Sequence, residues 1–119
     1  MITRPGGAAL AALLVAACGS SEVHTGTLAL TEGRSFPPAE EKGCEVAAHR
    51  CNKCHPLERV LLARPATPYH WERYVERMRL QPASGISVDD AKVITKCLVF
   101  RSFGEDGVKT LATPEEVTK

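Results

Sequence analysis

Between positions 44 and 55 the chain reads Cys44-Glu45-Val46-Ala47-Ala48-His49-Arg50-Cys51-Asn52-Lys53-Cys54-His55, and two patterns overlap there. Cys44, Ala47, Ala48 and Cys51 fall at i, i+3, i+4 and i+7, the small apolar face of a helix that Pro37-Pro38 is placed to open. That helix runs into Cys51-Asn52-Lys53-Cys54-His55, a C-x-x-C-H sequence. This is the attachment pattern for c-type haem: two thiols add to the vinyl groups, and the adjacent imidazole is delivered to the iron. The spacing has a mechanical reason. Two cysteines three apart on a tightening turn point to one side, and the next residue has almost no freedom left. A chain of this composition would show the pattern by chance in about 0.7% of cases, which makes the signal strong. A thioredoxin-like dithiol needs a strand before it and a βαβ setting, and a zinc site needs two further ligands at suitable spacing; neither is evident.

Working outward, three further helical patterns follow. Thr67 before Pro68 reads as an N-cap with proline at the first helical position. Trp71, Tyr74, Val75 and Met78 then form one apolar stripe that ends near Leu80, before Pro82. Ser87 with Asp90 three residues on is a capping-box signature, and Val93, Ile94, Cys97 and Leu98 give the buried face of a helix that Gly104 is placed to terminate. Leu57 to Arg64 supplies a shorter helical piece before Pro65. No segment alternates convincingly with period two, so the sequence predicts an all-α domain of three to four helices over residues 37–104.

The ends read differently. Arg4, the apolar run Ala8 to Ala17, and Val15-Ala16-Ala17-Cys18 form an export signal too short to span a membrane. Small residues before Cys18 resemble a bacterial lipobox, with Val15 where leucine is commoner; the pattern implies a lipidated Cys18 as first residue of the mature chain. Gly19, with no Asp in that place, resembles the outer-membrane variant of the sorting signal. Residues 19–36, rich in Gly, Ser, Thr and Glu, are expected to form a flexible tether of roughly 23 Å root-mean-square span, with His24 as solvent-facing filler. Residues 105–119, with four acids and two lysines, are expected to be a loosely ordered tail.

Composition sets the outer bounds. The 119 residues are 44% hydrophobic, 24% charged and 5% aromatic, which excludes a transmembrane transporter, an acidic disordered tail and a collagen-like fibre. A net charge of +1 gives no support to nucleic-acid binding through bulk charge. A core this small needs a staple, and five cysteines offer a disulfide, a metal or a covalently held cofactor.

From Glu40 to about Phe103 the chain resembles class I cytochromes c. The resemblance implies a small all-α fold whose first and last helices cross, a single covalent haem c between them, and electron transfer as the activity. Gly43, eight residues before Cys51, stands where that family commonly has a glycine at the crossing. Four residues later Ala47 replaces the usual aromatic, and Ile94-Thr95-Lys96-Cys97-Leu98 carries Cys97 where a tyrosine is usual. The resemblance places Cys44 and Cys97 together at the crossing, which implies a disulfide there; two separate buried thiols are the alternative. Trp71-Glu72-Arg73-Tyr74-Val75-Glu76-Arg77-Met78 resembles a short bacterial subgroup, with Trp71 and Tyr74 expected in the haem pocket.

Met78 is the only methionine besides Met1, which makes it the expected sixth ligand opposite His55, with His70 as rival; His49 precedes the motif on its own helix and is badly placed to cross. The segment from Arg50 to Arg79 holds seven basic residues against three acidic ones, readable as a docking patch or as ordinary solvated surface. The expectation is therefore a mono-haem one-electron carrier without catalytic residues, exported to the bacterial periplasmic side, held to the outer membrane through Cys18, and exchanging electrons with redox protein partners. Two alternatives stay open: a haem sensor or peroxidase-like protein with a labile sixth ligand, and a haem subunit of a larger oxidoreductase complex.

Overall fold

The computed structural model describes residues 18–113 and contains α1 (Cys18–Thr31), α2 (Pro38–Cys51), α3 (Glu58–Leu61), α4 (Pro68–Arg79) and α5 (Val88–Ala112), with no strand among the described residues. The all-α expectation holds. The export signal before Cys18 and the last six residues of the expected tail lie outside the described residues.

Local chemistry explains three of these helices as read from sequence. Pro38 and Pro68 occupy first-turn positions where a missing N–H costs nothing, and Thr67 stands extended before Pro68, although its side chain makes no capping bond. Ser87 Oγ accepts from Asp90 N at 2.9 Å while Ser87 N donates to Asp90 Oδ2 at 3.2 Å, a complete capping box. Gly104, with φ +69°, breaks helical geometry as expected, but the chain does not end there: it resumes as helix to Ala112.

The core is a crossing of α2 and α5 flanked by α4. Cys44, Ala47, Ile94, Cys97 and Val99 are fully buried. A Cβ placed on Gly43 would overlap the backbone carbonyl of Val93, so only glycine lets the two helices come this close. Cys44 and Cys97 meet at disulfide distance at this crossing, with Cα atoms 5.2 Å apart. Trp71 and Val75 carry the α4 face into the same core, and Trp71 Nε1 donates to Ser102 Oγ at 2.8 Å. Each large apolar side chain so buried is worth about 1.5–3 kcal/mol.

Two expectations about the ends are corrected. Residues 19–36 are not a tether: α1 packs on α2, Leu30 is fully buried, and Phe36 is buried against Phe100 with ring centroids 4.7 Å apart. The reason is a face of Val23, Gly26, Thr27 and Leu30 at helical spacing, with Gly26 lying directly over Ala48. Residues 105–112 are not a loose tail either. Val108 and Leu111 pack against the core, Gly107 is buried, and Tyr69 Oη donates to the Thr110 carbonyl at 3.3 Å.

Candidate functional site

The C-terminal end of α2 is fixed before the motif begins. Arg50 pairs through Nε with Asp90 Oδ2 at 3.0 Å, and the same carboxylate caps α5. One aspartate thus ties the last turn of α2 to the first turn of α5, so Cys51 leaves a defined position. Asn52 ends the helix, and the chain turns through Lys53, Cys54 and His55.

His55 Nδ1 lies 3.2 Å from the Pro56 carbonyl. A carbonyl only accepts, so Nδ1 is the donor in this contact and Nε2 is the nitrogen left uncommitted by it. This is the second partner that fixes tautomer and ring orientation in imidazole-ligated sites.

The opposite wall comes from the end of α4 and the loop after it. Ser84, buried in that loop, donates from Oγ to the Arg79 carbonyl at 2.8 Å and accepts from Ile86 N at 3.3 Å. Ala83 and Gly85 both take positive φ, +58° and +66°, which folds the loop back toward α2. Between the walls runs a narrow, mostly apolar cleft lined by Arg50, Cys51, Cys54, His55, Val60, Tyr74, Met78, Gln81, Ser84 and Ile86. The structure therefore brings both motif cysteines, the histidine, the only internal methionine and Tyr74 onto one space.

The remaining expected residues fall elsewhere. Trp71 does not line the cleft; it is a core residue standing behind Tyr74, edge to face at 5.6 Å. His70 is exposed, and its Nδ1 accepts from Ala66 N at 3.0 Å, a use at the start of α4 and away from the cleft. His49 is exposed on α2 and faces α1, beside Glu22 and Val23. Gln81, Ser84 and Ile86 are the lining residues that sequence reasoning missed. The turn residues from Pro82 to Gly85 were their one visible signal, and those mark a turn without saying which way it faces.

The donor set suits covalent haem better than a dithiol or a bare ion. Burial pushes the Cys51 thiol up to about 11, so it is protonated at neutral pH, the opposite of the low-pKa thiolate that a redox dithiol needs. Cys51 and Cys54 are free of each other. No three His, Cys, Asp or Glu side chains gather as a metal site among the described residues. One imidazole and one thioether facing an apolar cleft, with two cysteines on its edge, is the set that a tethered porphyrin iron takes. No protein-family model matches the chain, and neither a curated protein nor a solved structure matches it.

Proposed function

We propose that the protein is a mono-haem c-type cytochrome that carries single electrons on the periplasmic side of a bacterial outer membrane, anchored through a lipidated Cys18. Cys51 and Cys54 would hold the haem covalently, and His55 and Met78 would be its axial ligands. The observation that carries this reading is convergence: the C-x-x-C-H motif and Met78, far apart in sequence and on different helices, line one cleft. A haem held between an imidazole and a thioether supplies reversible one-electron exchange, with the thioether favouring the ferrous state. The chain's part is positional. Pro56 orients the His55 ring, Ser84 pins the loop beside Met78, and Val60, Tyr74 and Ile86 keep the walls apolar. If His55 and Met78 both hold the iron, no site would be left for oxygen or a substrate, which would favour a carrier over an enzyme.

A pyridine-haem spectrum with intact mass of the exported protein tests haem number, covalency and acylation together. One covalent haem and an acylated Cys18 are expected; no haem surviving acid and organic extraction overturns the reading. Met78→Ala should remove the ferric sulfur-to-iron band at about 700 nm that marks His/Met ligation. An unchanged band would remove Met78 from the ligand set, and a high-spin reduced form of the unaltered protein would point to an open-site haem protein.

A further inference from the structure

The segment expected to be a slack tether is instead a docked helix, and its direction matters. α1 and α2 are joined by the turn at 32–37 and run antiparallel. Thr31 shares a groove with Glu41, Gly26 lies over Ala48, and Glu22 and Val23 share a groove with Ala48, His49, Asn52 and Lys53. The start of α1 is therefore beside the haem-attachment motif, and Cys18 is one helical turn further on, about 6 Å along the axis from Glu22. The far end is closed by Glu32, which pairs with Arg101 of α5 at 2.8 Å, and by Arg34, whose guanidinium donates to the Arg101 carbonyl at 3.3 Å.

We propose that α1 acts as a rigid post that holds the Cys51–His55 end of the domain against the surface of the bilayer that anchors Cys18, with the turn at 32–35 pointing away. This rests on the reading of Cys18 as the acylated first residue. A chain fixed to a bilayer at Cys18 has no slack before α1 begins, so the motif end is kept at headgroup level while the 14-residue helix, about 21 Å long, lifts the other end clear. The partner class that follows is a redox group in or on the same membrane, reached without the domain having to swing.

The test uses the full exported chain in its ferrous, diamagnetic form, in vesicles of phosphatidylethanolamine and phosphatidylglycerol doped with a gadolinium-chelate lipid. Matched vesicles without gadolinium are the reference. Amide relaxation enhancement should be severalfold larger at 52–54 than at 32–35. Equal enhancement, or the reverse order, overturns the proposal while leaving acylation and haem attachment standing, because intact mass on the same sample reports both. An intact mass without acyl groups overturns the proposal together with the anchoring it rests on. A flexible Gly-Ser insertion between Cys18 and Gly19 should flatten the gradient; a gradient that survives the insertion shows that α1 does not set the orientation, and also overturns it.

Discussion

Two helix crossings in this molecule use one device, a glycine facing a neighbouring helix, and they differ in what that glycine meets. At the α2–α5 crossing Gly43 faces the Val93 carbonyl, part of a backbone that cannot give way without breaking helix hydrogen bonds. At the α1–α2 crossing a Cβ on Gly26 would lie 2.9 Å from the Cβ of Ala48, a side-chain contact that a small shift of α1 relieves. The first crossing is further closed by Cys44 with Cys97 and by Arg50 with Asp90; among the described residues, neither a disulfide nor an ion pair joins α1 to α2. The α2–α5 crossing is thus over-determined and fixes where the motif emerges, whereas α1 is added to its outside.

The largest effect should come from the covalent tie. Cys97→Ala removes a link closing a loop of 53 residues, worth roughly 4 kcal/mol in the chain-entropy account, and opens a small void between α2 and α5. Denaturant unfolding of the exported protein measures it. Thiol titration of the denatured, unreduced holoprotein checks the premise: no titratable thiol is expected, and two would refute the bridge.

Gly43→Ala comes next. The added methyl needs the helices to separate against the disulfide, an overpacking cost of about 3 kcal/mol. Unfolding midpoint and slope give the value, and a loss below about 1 kcal/mol would show that the crossing yields as readily as the outer one.

The contrast also explains what the sequence disclosed. Gly43, Cys44, Cys97 and the Ser87–Asp90 box are rigid constraints written in distinctive residue types, and the crossing was legible from them. The face of α1 was not, because two of its four positions are Gly26 and Thr27, which carry little hydrophobic signal. Their fit depends on Ala48 being equally small, a pairing that a one-helix pattern does not reveal. The acidic composition of 105–112 likewise hid Val108 and Leu111, whose spacing is helical but short. Of the cleft, the wall bearing Cys51, Cys54 and His55 was legible to the residue; the wall from 81 to 86 was not, since it is shaped by two positive-φ positions and the Ser84 hydroxyl rather than by any periodicity.

Asp90 is the hinge between the crossing and the motif, and a pair of variants separates its two jobs. Asp90→Asn retains an oxygen able to accept from Ser87 N and loses only the charged pairing with Arg50; Asp90→Ala loses both. The alanine variant should cost about 1–2 kcal/mol and the asparagine variant about half of that. Equal losses would show that the ion pair carries the whole effect, contrary to the capping geometry.

The smallest effect belongs to Gly26→Ala. Replacing glycine inside a helix gains about 1 kcal/mol of intrinsic helix stability. Against this stands the Ala48 contact, which sends α1 outward by a few tenths of an ångström and loosens the packing around Leu30. The two terms nearly cancel, and a net change within about 1 kcal/mol is expected from denaturant unfolding. Adding Ala48→Gly moves the small residue across the interface. It removes the clash and places the helix cost in α2 instead, so the double variant should also stay within about 1 kcal/mol of the parent if the interface is set by size alone. A loss above about 2 kcal/mol for the single variant would mean that α1 is clamped as firmly as α5, and the two crossings would no longer differ in kind.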